Sequence, residues 1–168
     1  MDLKNFNLAP LNILDNEWAL LTAGNKENFN TMTISWGSFG TIWNIPTVTV
    51  YVRPNRYTYK FMEDSEYFTI SFFDEKFKKD LAILGSKSGR DLDKLSLTNL
   101  TPNVLDNAIY FNEANLTIVC KKMFFQDLDV KNINNKCVPQ SEIERFYAKE
   151  PAHRMYLGEV VEIIDKRK

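Results

Sequence analysis

The residues best suited to chemistry are hydroxyl, amide and cationic side chains that gather in three short segments of the sequence. The first segment, residues 30–37, alternates hydroxyl and apolar side chains and ends with a tryptophan and a glycine. On a strand this alternation places the hydroxyls on one face, where they can bind along a flat polar ligand. The exposed face of a β-barrel would show the same pattern without any ligand. The candidate binding residues here are Asn30, Thr31, Met32, Thr33, Ser35 and Trp36.

The second segment, residues 53–59, places two arginines and a threonine where a strand is predicted to end and a helix to begin. Free N–H groups and the helix dipole attract phosphate at such a helix start, and arginine adds bidentate hydrogen bonds. Surface ion pairs with acids such as Glu63 are the alternative use of these arginines. The candidate binding residues are Arg53, Arg56, Tyr57 and Thr58.

The third segment, residues 85–94, is a loop rich in glycine, serine and cations that follows a predicted helix. Backbone N–H groups in such a loop can form a concave phosphate-binding nest, although a flexible connection would have a similar composition. A single anionic ligand would account for the five cations of the second and third segments and for the hydroxyls of all three. The candidate binding residues are Ser86, Ser88, Arg90 and Lys94.

His153 is the only histidine, so it is the one candidate for proton transfer by an imidazole. Most metal sites built from several histidines are thereby excluded, and we expect no bound metal. The two cysteines, Cys120 and Cys137, form no CxxC motif, and Cys120 lies in an apolar run typical of a buried strand. Neither GxxxxGK[ST] nor GxGxxG occurs, which argues against P-loop and Rossmann nucleotide sites. If the protein is an enzyme, its chemistry would therefore come from a bound cofactor.

The elements that position these residues are mainly strands. The 168 residues, with 44% apolar and 26% charged side chains, predict a single domain, residues 1–168. Strands are predicted at residues 18–23, 31–36, 47–53, 67–73, 116–125 and 156–164 from alternating or continuous apolar runs. Helices are predicted at residues 56–63, 75–84 and 141–147, with Gly85 ending the second and Ser141 as N-cap of the third. This pattern predicts a mostly β fold, a closed or partly closed barrel with a few helices.

Charge and segment lengths limit the partners and the compartment. The net charge of −1 lacks the positive surplus that displaces phosphate counterions, so we expect no nucleic-acid partner. No apolar run approaches the ~18–20 residues that span a bilayer, and the N-terminus lacks the pattern of a secretory signal. We therefore expect a cytoplasmic protein without a membrane partner.

In their order and spacing, these segments resemble the flavin reductase family, whose fold is an FMN-binding split β-barrel of Greek-key type. The resemblance is strongest to its flavoredoxin-like subgroup and extends from Leu11 to Ile164. It rests on residues 31–37, 40–43, 50–58, 67–73, 86–94, 100–102 and 153–161. Three positions depart from the subgroup: Leu84 replaces a frequent cysteine, Ile45 a frequent basic residue and Asn99 a frequent glycine. We therefore expect no thiol redox role.

The resemblance implies a homodimer that holds FMN at or near the subunit interface. The strand over residues 31–37 would lie along the isoalloxazine ring and ribityl chain, with Trp36 bordering the ring. The ribityl-phosphate end would be bound by Arg53, Arg56, Thr58, Ser88 and Lys94. His153 would lie near the flavin or the nicotinamide, unless it is a surface residue at the start of a strand.

Three functions follow as expectations. The first is an FMN-dependent oxidoreductase in which NADH or NADPH reduces the flavin, and the flavin reduces free flavin or a ferric complex. The second is an electron-transfer protein of flavoredoxin type that is reduced by a partner redox protein. The third is a non-catalytic barrel that serves binding or assembly.

Overall fold

The computed structural model describes residues 7–167, which form nine strands and four helices. The strands are β1 (Ala19–Gly24), β2 (Phe29–Ile34), β3 (Gly37–Ile42), β4 (Ile45–Val52), β5 (Tyr67–Phe72), β6 (Pro102–Leu105), β7 (Ala108–Phe111), β8 (Leu116–Asp127) and β9 (Arg154–Asp165). The helices are α1 (Pro10–Asn12), which continues into a π-type turn at Ile13–Glu17, α2 (Tyr57–Asp64), α3 (Lys78–Ser86) and α4 (Gln140–Tyr147). Short 3-10 turns lie at Glu75–Phe77, Leu95–Leu97 and Val130–Asn132. No helix among these residues is long and apolar enough to cross a membrane.

Seven strands form one antiparallel sheet in the order β2-β1-β5-β8-β9-β4-β3, and β6 pairs with β7 in a separate hairpin. Only Ser35 and Trp36 join the two edge strands, β2 and β3. Three extended residue steps span at most about 10 Å. A flat sheet of this order would hold its edges about 30 Å apart, because neighbouring strands lie about 4.8 Å apart. The sheet must therefore curl until its edges approach, which gives a split β-barrel that stays open between β2 and β3.

The inside of the barrel is apolar and forms the main core. Alternate residues of the strands point into it, as the period of two requires. These strand residues are Ala19, Leu21, Ala23, Met32, Ile34, Val48, Val50, Val52, Phe68, Ile70, Phe72, Leu116, Ile118, Cys120, Tyr156 and Ile163. Burial raises the pKa of the Cys120 thiol, because the thiolate would lose its hydration. Cys120 is therefore the buried apolar residue that its sequence context predicted.

A second core lies outside the barrel, where α3 and the β6–β7 hairpin cover β1 and β5. It joins residues from β1 and β5 to the helix and hairpin, namely Leu20, Phe73, Leu81, Leu84, Leu100, Phe111 and Ala114. This packing fixes α3 against the outer face of β2. The loop after α3 is thereby held beside Asn30 in β2 and Tyr57 at the start of α2.

The predicted mostly β barrel with a few helices is confirmed, and every predicted strand and helix is present with shifted ends. The strand predicted to reach Trp36 ends at Ile34. Gly85 does not end α3, which continues to Ser86, and Ser141 is not an N-cap because Pro139 holds that position. Both helix-end predictions were therefore wrong.

Strands β3, β6 and β7 were missed, and each lacks a clear apolar alternation. Most of β3 is exposed, since it is an edge strand with glycines at two positions. It is joined to β4 by a two-residue turn in which Trp43 and Asn44 have φ of 51° and 59°. Turns of this kind usually use Asn-Gly, so a tryptophan at the first position hides the hairpin in the sequence.

Candidate functional site

Two adjoining pockets open where β2 ends and α2 begins. The large pocket has a volume of about 520 Å³ and the small pocket about 240 Å³, and both are lined by Met32, Asn55 and Arg56. Of the predicted site residues, the large pocket also contains Thr33, Ser35, Trp36, Arg53 and His153. The small pocket also contains Asn30, Tyr57, Thr58, Ser86, Ser88, Arg90 and Lys94. The structure thus brings the three sequence segments together in one continuous groove.

Thr31 is the exception, because its side chain lines neither pocket. It is 3% exposed, and its hydroxyl donates to the Leu21 carbonyl at 3.2 Å and accepts from the Thr22 hydroxyl at 2.9 Å. The neighbouring hydroxyl of Thr33 donates to the Leu81 carbonyl in α3. Two hydroxyls of the predicted row, those of Thr31 and Thr33, are therefore engaged by β1 and α3, and Ser35 is left to offer its hydroxyl to the large pocket.

Replacing Thr31 by valine is expected to lower the free energy of unfolding by about 1 kcal/mol, since two hydrogen bonds of a buried hydroxyl are lost. Affinity for the flavin that the sequence resemblance implies should stay within about twofold, because the side chain reaches neither pocket. Urea unfolding and a flavin titration measure the two effects. A large loss of flavin affinity in a stable variant would instead return Thr31 to the binding site.

Lys94 is a buried cation in the small pocket. Its side chain is almost wholly covered at 6% exposure, and Nζ donates to the carbonyls of Leu84 at 2.9 Å and Lys87 at 3.2 Å. These carbonyls belong to the C-terminal end of α3, where the helix dipole favours a cation. Burial, and then the nearby Arg56 guanidinium, lowers the pKa of Lys94 to about 8. One carboxylate, Asp91, lines the small pocket beside Arg56, Lys87, Arg90 and Lys94, so the lining has a net positive charge.

Two arginines complete the basic cluster, which we define as Arg56, Arg90 and Lys94. Arg56 Nη2 donates to the Gly85 carbonyl at 2.6 Å, and Arg90 Nη1 donates to the Asn55 carbonyl at 3.2 Å. Within residues 7–167, no carboxylate lies within 4.0 Å of any of the three cations. The alternative use of Arg53 and Arg56, surface pairing with acids such as Glu63, is realised only in part: in the described residues Arg56 pairs with no carboxylate, whereas Arg53 Nη1 lies 3.5 Å from Glu150 Oε2.

Glu63 is paired elsewhere: its Oε2 lies 2.9 Å from Arg154 Nη1, which is a residue of β9. Arg154 also binds both carboxylate oxygens of Asp127, at 2.6 and 2.8 Å. This pairing fixes the end of α2 to β8 and β9 and leaves Arg56 without an acidic partner. The small pocket therefore keeps its positive charge.

The start of α2 faces the basic cluster. Arg56 occupies the N-cap position and no side chain caps the helix. The Tyr59 N–H donates to the Arg56 carbonyl at 3.0 Å, so the N–H groups of Tyr57 and Thr58 are the ones left for a ligand. Asn30 Nδ2 donates to the buried Thr58 hydroxyl at 2.7 Å, which ties β2 to this helix start. A Cβ on Gly89 would lie 2.4 Å from Asn30 Oδ1, so only glycine lets the loop approach this closely. The chain folds here into a compact cradle for an anion.

His153 lies at the back of the large pocket and is 9% exposed, so it is not the surface residue of the alternative interpretation. Its Nε2 accepts from Arg53 Nε at 3.2 Å, and its Nδ1 lies 3.3 Å from the Tyr147 hydroxyl. A guanidinium only donates hydrogen bonds, so the Nε2 atom of His153 must carry the lone pair and its Nδ1 atom the proton. The Nδ1–H group then donates a hydrogen bond to the Tyr147 hydroxyl oxygen. Burial and the Arg53 charge lower the pKa of His153 to about 4.

We expect His153 to stay neutral down to about pH 4, because protonation would place a second cation against Arg53. The unfolded chain binds this proton near pH 6.5, so folded stability should fall as pH drops from about 6.5 towards 4. NMR titration measures the pKa without overlap, since the chain has one histidine. Arg53→Gln should raise the pKa. A wild-type midpoint near 6.5 would contradict the buried, Arg53-bound geometry.

Aromatic rings form one wall of the large pocket. The Trp36 ring centroid lies 4.9 Å from that of Phe146 in α4 and 4.8 Å from that of His153. Trp36 is 37% exposed, so part of its surface remains open to the pocket. A flat aromatic molecule can pack against this surface, with edge or offset contacts to the rings.

Sequence analysis missed the pocket residues Asn55, Tyr51, Phe146 and Glu150, together with Tyr147 behind His153. Asn55 stands between two predicted arginines and could have been included. The helix was predicted at residues 141–147, but nothing in the sequence analysis indicated that it lines a pocket. Nothing in the residues around Glu150 indicates that this glutamate lines a pocket. In residues 7–167 there is also no group of three His, Cys, Asp or Glu side chains that could hold a metal ion.

Comparison with known proteins identifies the family. A family profile described as flavin reductase like domain matches residues 14–167. No curated protein matches the chain significantly. The region that the profile matches includes both pockets and the whole barrel.

Solved structures share the fold at low sequence identity. Flavoredoxin from Methanosarcina acetivorans is 21% identical, with a TM-score of 0.67 over 89% of this chain and 68% of that one. An FMN-binding protein from Thermus thermophilus, solved with 1-cyclohex-2-enone, is 18% identical, with a TM-score of 0.68 over 89% and 70%. Streptomyces globisporus C-1027 NADH:FAD oxidoreductase SgcE6 is 14% identical, with a TM-score of 0.66 over 89% and 74%. The resemblance inferred from the sequence is confirmed, and the chain belongs to the flavin reductase-like family.

Proposed function

We propose that this protein is an FMN-dependent oxidoreductase, in which NADH or NADPH supplies a hydride and free flavin or a ferric complex takes the electrons. The observation that carries this proposal is the basic cluster, Arg56, Arg90 and Lys94, which has no carboxylate partner within residues 7–167 and faces the start of α2. A buried cation without an acidic partner is costly, and a bound anion relieves that cost. The cluster continues directly into a pocket with an aromatic wall.

The residues present fit the two ends of FMN. Three cations and the free N–H groups at the start of α2 suit a phosphate dianion, which accepts several charge-assisted hydrogen bonds. The large pocket offers Trp36 for the flat ring, and the outer edge of β2 has no neighbouring strand. Unpaired backbone groups at such an edge can bind the polar rim of the ring. A single phosphorylated ring ligand therefore explains both pockets.

When bound, FMN would supply the hydride and electron chemistry, and the protein would bind and orient it. The basic cluster would hold the phosphate, and Trp36 with Phe146 would exclude water from one side of the large pocket. His153 fits a positioning role better than the catalytic role expected from the sequence. Both of its ring nitrogens are engaged, and its low pKa keeps the imidazole uncharged at neutral pH, so it does not serve as an imidazolium acid.

The proposal is tested by mixing the purified protein with FMN and then with NADH or NADPH under anaerobic conditions. We expect stoichiometric FMN binding, followed by loss of the oxidised-flavin absorbance. Bound FMN that ignores both nicotinamides but is reduced by a ferredoxin-like protein would favour the electron-transfer alternative. A protein that binds no FMN would contradict both functions and leave the non-catalytic barrel.

A homodimer is part of the proposal. Its support is the family resemblance together with exposed aromatic side chains: Trp43 is 61%, Phe124 41% and Phe125 51% exposed. The rings of Trp43 and Phe124 are 6.4 Å apart, so they form one apolar patch. Patches of this kind commonly mark interfaces. Sedimentation velocity should give a dimer, and Phe124→Asp should shift it towards monomer.

A further inference from the structure

Arg53 does not belong to the basic cluster, although sequence analysis grouped it with Arg56. It lines the large pocket and is absent from the walls of the small pocket. Its Nε is engaged by His153 at 3.2 Å, and its Nη1 lies 3.5 Å from Glu150 Oε2. The groove therefore contains a further cation, Arg53, which lies outside the small pocket and is held in place by a histidine.

An internal carboxylate already occupies this second position. Glu150 Oε2 accepts a hydrogen bond from Asn55 Nδ2 and is the same oxygen that faces Arg53. One oxygen thus meets a guanidinium and an amide, the donors that a ligand phosphate or carboxylate would use. Glu150 lies just after α4, and its side chain is 47% exposed.

We propose that Arg53 and Asn55 form a second anion-binding site in the large pocket, and that Glu150 occupies it until a second ligand with a phosphate or carboxylate group displaces it. The inference rests on the proposed function in one respect. FMN has a single phosphate, which the basic cluster can bind, so the second site serves the ligand that meets the flavin ring.

The contacts around Arg53 suit such an exchange. The Tyr147–His153 pair holds Arg53 Nε, so the guanidinium keeps its orientation when the carboxylate leaves. The aromatic contact of Phe146 with Trp36 fixes α4 separately, so rotation of the Glu150 side chain alone can open the site. A partly exposed ion pair is weak, which makes its displacement easy.

The test is calorimetric titration of inorganic pyrophosphate into FMN-saturated protein. Glu150→Gln should bind pyrophosphate about three- to fivefold more tightly, because the competing charge is gone. Arg53→Gln should weaken binding about tenfold or more, and Asn55→Ala, which leaves the backbone carbonyl in place, should weaken it by a smaller factor. Glu144→Gln is the matched control: it removes the same charge from an exposed position on α4 and should change nothing.

Citrate in place of pyrophosphate distinguishes a carboxylate ligand from a phosphate ligand. An unchanged pyrophosphate affinity in Glu150→Gln would overturn the inference. So would an Arg53→Gln variant that loses FMN affinity while its FMN-saturated form binds pyrophosphate normally.

If wild-type protein binds no FMN, titration in a Lys94→Met background, which weakens the basic cluster, still tests the second site. In that background, tighter pyrophosphate binding by Glu150→Gln and weaker binding by Arg53→Gln would support the second site even if the protein binds no FMN.

Discussion

Replacing Lys94 by methionine is expected to weaken FMN binding about 20- to 100-fold, while riboflavin affinity changes by less than about threefold. The ammonium group is the most buried cation of the small pocket and has only carbonyl partners in the described chain. A phosphate placed beside it gains a charge-assisted hydrogen bond in surroundings that screen charge poorly. Riboflavin lacks the phosphate and so gains nothing from Lys94. Titration of each flavin, followed by its fluorescence, measures the difference.

Lys60→Met is the matched control, because it removes the same charge from an exposed position of α2 outside both pockets. It should leave both affinities within about twofold, since exposed charges are screened. Methionine is long and apolar, so it can fill the space of Lys94, and thermal unfolding checks that the variant folds. An equal loss of affinity for FMN and riboflavin would contradict a phosphate-binding role and assign Lys94 to the support of the loop.

The framework of the site could be predicted from the sequence because its signals are local. Residues 47–53 alternate as a strand, and an arginine and a helical period follow, so the junction that bears Arg56 is visible in the chain itself. The glycine- and serine-rich loop that ends at Lys94 is equally visible. The strand alternation, the helical period and the loop composition can each be identified from a few neighbouring residues.

The direction and partners of individual side chains could not be predicted in this way. Alternation showed that Thr31 and Thr33 share a face, but not that α3 covers it and engages the Thr33 hydroxyl. Glu63 is near Arg56 in sequence, yet the sheet brings Arg154 from the far end of the chain to pair with it. Glu150 reaches Arg53 only because β4 and β9 are neighbours in the barrel. Each of these contacts depends on tertiary packing between elements that are distant in the sequence.

The lowered pKa of Lys94 also predicts how FMN affinity depends on pH. With a pKa of about 8 in the free protein, about nine-tenths of the molecules carry the ammonium at pH 7 and about one-tenth at pH 9. The phosphate stays doubly charged over this range, because its second pKa is near 6. If only the charged form of Lys94 binds phosphate well, apparent FMN affinity should fall about tenfold from pH 7 to pH 9.

Equilibrium titration of FMN at several pH values between 7 and 9 measures this fall, and riboflavin provides the reference. Riboflavin affinity should stay nearly constant, since the ligand has no phosphate for Lys94 to bind. The Lys94→Met variant should bind FMN weakly but with an almost flat profile, because the titrating group is absent. Raising the pH removes a proton from Lys94 that FMN binding requires, so the protein binds FMN more weakly at higher pH. A wild-type profile as flat as that of the variant would show that Lys94 keeps its charge throughout, or that the phosphate lies elsewhere.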